Sequence, residues 1–284
     1  MNFNKRQSFN EILKYSFIAI IAVVPNLLFA QTDFYTPKAL IIPLHDQPKQ
    51  LFMSVGWGGG LDLNLSYAFT NKLAVFGSST VNIGTRPGVT ILGSSYTTEK
   101  DDYVLKGGLG YFSKIDNTLF EVFEAYFGAA VTKISNSWYF NGHPEGIEFT
   151  DAKYNSVFAQ INVGKKNPKT EYAVGIRFNY SKYSEFTFFE PRESSAFSQY
   201  QNVQGLSVDP VISFGYNLGS RVMLYAQVGS AIPIGTSPIN KIDTYPSYDQ
   251  QTPITEITSK ERVYLGGILG RLSVQYRLSL DRRK

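Results

Sequence analysis

This chain of 284 residues holds two histidines and no cysteine. His143 stands in Trp138-Tyr139-Phe140-Asn141-Gly142-His143-Pro144-Glu145, and a histidine near a carboxylate such as Glu145 can act as a general base. Gly142 and Pro144 equally mark a turn, where a surface histidine needs no catalytic role. No Gly-x-Ser-x-Gly, phosphate loop or metal-ligand cluster accompanies it. The lack of cysteine excludes thiolate catalysis, disulfides and Cys-type metal sites. The residues therefore imply no cofactor and no metal, and the chain reads as non-enzymatic.

A second set of reactive groups is spread along the chain: Asp62, Lys106, Glu124, Arg177, Asp209, Arg271 and Arg277. Each sits on the polar side of an alternating segment. In 61–69, Leu61, Leu63, Leu65, Tyr67 and Phe69 fall opposite Asp62, Asn64, Ser66 and Ala68. In 172–180, Val174, Ile176 and Phe178 fall opposite Ala173, Gly175, Arg177 and Asn179. The same holds for Ile212 against Asp209 and Ser213, and for Val274 against Arg271 and Arg277. A period of two is that of a strand with one greasy side. Full charges on the other side are foreign to a small soluble core.

The elements that position these groups recur as a beat. Ten strand-like stretches run from Leu51 to Ser279, joined alternately by tight and long connections. Tight ones fall near Asn71, at 115–117, 165–169 and 217–220; long polar ones span 84–101, 135–152, 185–204 and 235–262. Short turns on one side and long loops on the other are the rhythm of a ten-stranded antiparallel up-and-down transmembrane β-barrel, an all-β fold. Mean hydropathy is −0.14 with 15% aromatics. That suits a wall in which only alternate residues meet lipid, Leu63, Leu65, Ile176, Ile212 and Val274 among them.

Ahead of the strands, Lys5, Arg6 and Lys14 precede the apolar run Ser16–Ala30. The run is shorter than the roughly 20 residues of a membrane helix, so 1–30 reads as a secretory signal peptide cut after Ala30. Its removal lowers the formal charge from +4 to +2. No clustered basic face remains that would mark nucleic acid. Residues 31–49 carry Pro37, Pro43 and Pro48 and read as a periplasmic leader, and 50–284 as the barrel.

The signal ending Leu28-Phe29-Ala30-Gln31, the strand Leu61–Phe69 with its turn Thr70-Asn71-Lys72, and the closing strand Gly270–Leu278 resemble the small outer-membrane β-barrel proteins of diderm bacteria. The resemblance implies the outer membrane as location, lipid as surroundings and a monomer. Members commonly end on an aromatic residue; here Tyr276 or Leu280 would take that place, and the chain continues to Lys284. In a narrow barrel the seven charged residues line the lumen and must pair there, as a salt-bridged plug or, alternatively, a narrow transport path. Phe186, Phe188, Phe189, Tyr200, Tyr245 and Tyr248 fall in the long loops, as a surface for an external ligand or an envelope protein, or as an aromatic girdle. The function expected is structural or binding, ahead of a pore and then of a hydrolase using His143.

Overall fold

The computed structural model describes residues 35, 38–89, 94–142, 147–189, 197–234, 238–245, 255–263 and 265–280. The expected signal peptide, His143, Glu145 and Tyr248 lie outside them. Thirteen strands follow in order: β1 (Gln50–Trp57), β2 (Leu61–Ala68), β3 (Leu73–Val89), β4 (Ser95–Lys114), β5 (Val122–Phe140), β6 (Glu148–Lys166), β7 (Thr170–Phe189), β8 (Phe197–Gln201), β9 (Gln204–Asn217), β10 (Val222–Ile234), β11 (Ile239–Tyr245), β12 (Thr255–Glu261) and β13 (Gly267–Ser279).

Ten of them close a ring of antiparallel pairs. β1 to β7 pair in sequence, β7 pairs with β9, β9 with β10, β10 with β13, and β13 returns to β1. Closure leaves no barrel edge unpaired, which a wall in hydrocarbon requires. The alternation read from the sequence sets the two faces. Leu63, Leu65, Ile212 and Val274 are among the exposed outer residues, while Asp62, Ser66, Asp209 and Ser273 are buried inside. Ile176 is half-exposed, directly beside inward Arg177. The outer face carries further bare Leu105, Leu109, Phe127, Val157 and Leu272. An apolar exterior of that extent, around a polar interior, inverts the order of a soluble barrel.

Two features depart from the sequence reading. The stretches 84–101 and 135–152 are largely strand rather than loop, because β3 runs for 17 residues, β4 for 20, and β5 and β6 for 19 each. A bilayer takes only about 9–11 residues of a tilted strand, so these strands continue well beyond any membrane. The stretches 185–204 and 235–262 likewise hold β8, β11 and β12. These pair outward from the far end of β7 in the order β7-β8-β11-β12, as a three-stranded extension of the wall.

Candidate functional site

The lumen is crossed by the chain's own residues 38–45, here called the strap. The expectation of a periplasmic leader is corrected for this part of 31–49: Lys38, Ala39, Leu40, Ile41, Ile42, Leu44 and His45 are all buried. Apolar Leu40, Ile41, Ile42 and Leu44 have no reason to stand in water. Each such side chain, once fully buried, contributes about 1.5–3 kcal/mol. That apolar run was the available signal; the prolines and the missing strand period obscured it.

The strap runs from the long-loop end to the short-turn end. Before it, Tyr35 packs among Tyr154, Tyr183, Val263 and Leu265, and its hydroxyl accepts from Asn179 at 3.1 Å. At the other end, the His45 N–H donates to Glu124 Oε1 at 2.8 Å. The His45 ring pairs through Nδ1 with Gln50 Oε1 at 3.1 Å and through Nε2 with the Ser66 hydroxyl at 2.8 Å. Just beyond, half-buried Asp46 meets Lys166 at 2.9 Å. Partial burial works against the Asp46 charge, but Lys166 and hydrogen bonds from Lys166 and Gln50 outweigh it and hold the carboxyl below its ordinary value.

Between these ends the strap forms no sheet ladder, since the wall's backbone groups are taken up by neighbouring strands. Inward side chains hold its carbonyls instead. Arg177 donates to Lys38 O at 3.0 Å, Lys106 to Ala39 O at 2.9 Å and Gln227 to Leu40 O at 3.0 Å. Ile41 O accepts from Gln160 at 2.5 Å and Asn162 at 2.9 Å, and Pro43 O from Arg277 at 3.0 Å. Without these partners the buried carbonyls would each lack a donor.

All seven charged residues named from the sequence lie inside the ring, and the strand register, which the sequence left open, sets their partners. Arg177 faces Asp209 across the β7–β9 ladder and donates from Nε and NH2 to one oxygen, at 2.9 and 2.7 Å. Arg271 Nε stands 3.4 Å from Asp62 Oδ2, an ion pair without a well-formed hydrogen bond. The Thr80 hydroxyl donates to the other Asp62 oxygen. Arg277 takes a fork geometry on Glu171, at 2.5 and 2.9 Å, the bidentate arrangement that makes Arg–carboxylate pairs strong. Glu171 was missed, although it falls two residues before Ala173 on the same polar row as Arg177. Glu124 and Lys106 do not pair with each other. Glu124 faces Phe112 and Lys106 faces Ala130, at different heights on adjacent strands, and both bind the strap.

The aromatic loop surface needs correction. Phe186 and Tyr200 are buried, in a chain of ring contacts from Tyr154 through Tyr183 and Phe186 to Tyr200 with successive centroids 4.6, 5.4 and 4.8 Å apart. Phe188 packs partly against the same cluster. Phe189 stacks on Phe197 at 4.5 Å, and Tyr245 is half-buried in β11. This part of the supposed loop is strand, and a bulge in β7, which pairs Tyr183 with Tyr154 but Glu185 with Lys153, reverses the alternation and turns Phe186 inward.

No family model and no curated protein matches the chain. Solved structures match its fold. The translocator domain of the autotransporter NalP from Neisseria meningitidis is 11% identical, with 96% of this chain and 98% of that one covered and a TM-score of 0.42. The outer membrane protease OmpT from Escherichia coli is 8% identical, with 81% and 93% covered and a TM-score of 0.46. The expectation that this chain is not an enzyme is corrected: the second of these structures, similar in fold, is an outer membrane protease. At these identities the likeness is one of fold, and the fold is that of the outer-membrane β-barrels.

Proposed function

We propose that the protein resides in the outer membrane as a barrel closed by its own strap, and that it meets external partners through the wall extension of β8, β11 and β12. The observation that carries this reading is the grip on the strap, whose carbonyls are held from β4, β6, β7, β10 and β13 at once. A segment tied to so many sides of a narrow ring leaves no continuous aqueous path. Work at the membrane then falls to the parts outside it. The extension ends in β12, which among the described residues pairs on one side only, with β11, and shows Ile257 to solvent. An open edge of this kind accepts an added strand.

The lack of cysteine makes a clean test possible. Thr258→Cys in β12 should react with a membrane-impermeant maleimide on intact cells. Asn117→Cys, in the short turn between β4 and β5, should react only after the cells are opened. Labelling of Asn117→Cys alone on intact cells, or of neither after opening with the protein in the soluble fraction, would contradict the proposal.

A further inference from the structure

The contacts of the strap have a division of labour found in peptide receptors. The donors Arg177, Lys106, Gln227, Gln160, Asn162 and Arg277 read main-chain carbonyls. Every residue has such a carbonyl, so these bonds fix an extended path without fixing a sequence. Sequence is read by shape. Leu40, Ile42 and Leu44, at alternate positions, enter one cluster with Val122, Ala173, Val211 and Leu269. Two inward glycines open sockets for them. A Cβ on Gly164 would come within 2.5 Å of Leu44 Cδ2, and one on Gly175 within 3.0 Å of Leu40 Cδ2 and 3.3 Å of Ile42 Cδ1. Apart from Lys38 Nζ, which donates to the Gly59 carbonyl between β1 and β2 at 3.2 Å, these bonds of the strap run to wall side chains, so its departure breaks no ladder hydrogen bond.

We infer that the lumen wall is a binding site for an extended aliphatic peptide, with residues 38–45 as its occupant in cis. A segment of another chain with aliphatic residues at every second position fits the same donors and sockets. The inference rests on the strap closing the barrel, but is tested apart from it.

A protease site inserted between Gln47 and Pro48 lets the full-length protein fold first and be cut afterwards. The probe is a fluorescein-labelled synthetic peptide of residues 35–45, followed by anisotropy. The cut protein should take it up saturably and the uncut protein should not. A peptide with Leu40, Ile42 and Leu44 all replaced by serine should bind at least tenfold more weakly. The same titration on a barrel refolded without residues 33–45 removes the incumbent and covers the case of a strap too tight to exchange. No uptake by either preparation, or equal uptake of the serine peptide, overturns the inference. Bilayer conductance of the strap-free barrel separates the two ideas. A leak that the peptide stops supports both, whereas a leak with no uptake overturns the receptor and leaves the closed-barrel reading standing.

Discussion

Arg177 shows how single residues hold this lumen together. Its guanidinium serves a wall carboxylate, Asp209, and a strap carbonyl, Lys38 O, in one buried place. Arg177→Ala would strand the Asp209 charge, and breaking one side of a buried pair costs about 3–5 kcal/mol. The variant should lose its folded, fast-migrating gel band at a clearly lower temperature than wild type; an unchanged transition would mean the pair carries no weight. Asp46 offers a pH test at the mouth of the barrel. Its folded pKa lies below the ordinary value of 3.8, so its contribution is full above that value and lost as pH falls through the lower folded value. Asp46→Asn should therefore melt below wild type at neutral pH, and the difference should vanish in acid below the folded value. A gap that persists unchanged in strong acid would detach Asp46 from the effect.

Among the elements, the barrel strands were legible and the additions to them were not. Within the membrane band one face must be apolar, so Leu61–Phe69 or Leu272–Leu278 announce themselves by period two. Above it both faces meet water or protein, the alternation fades, and the ends of β3 to β7 look like loops. β8, β11 and β12 hid for a further reason: β8 pairs with β11, some forty residues away, and no hairpin turn marks that partnership. The strap hid because an extended segment held by side chains needs no strand period. The lumen charges were legible by face. Their pairing was not, since β7 meets β9 across the intervening β8 and no tight turn sets the register of Arg177 on Asp209. The faces are testable along one surface. Leu65→Arg places a charge in the apolar band at a cost of about 2–4 kcal/mol near the midplane, whereas Thr85→Arg lies on the exposed part of β3 beyond Ile83. Heat-modifiable gel mobility should show impaired assembly for the first and normal assembly for the second. Equal assembly would mean that the apolar band does not face lipid.

At the scale of the whole molecule the account is a closed wall, a strap threaded through it and an extension standing on one side. The outer face of the wall is apolar, and the strap crosses the space that the wall encloses. The most direct test is conductance of the purified protein in a planar bilayer, alongside a variant with Leu40, Ile42 and Leu44 all changed to aspartate. Three unpaired charges cannot remain in those apolar sockets, so the strap must leave them. The account predicts silence from the wild type and stable conductance steps from the triple variant. Steady steps from the wild type, or silence from a correctly inserted triple variant, would contradict it.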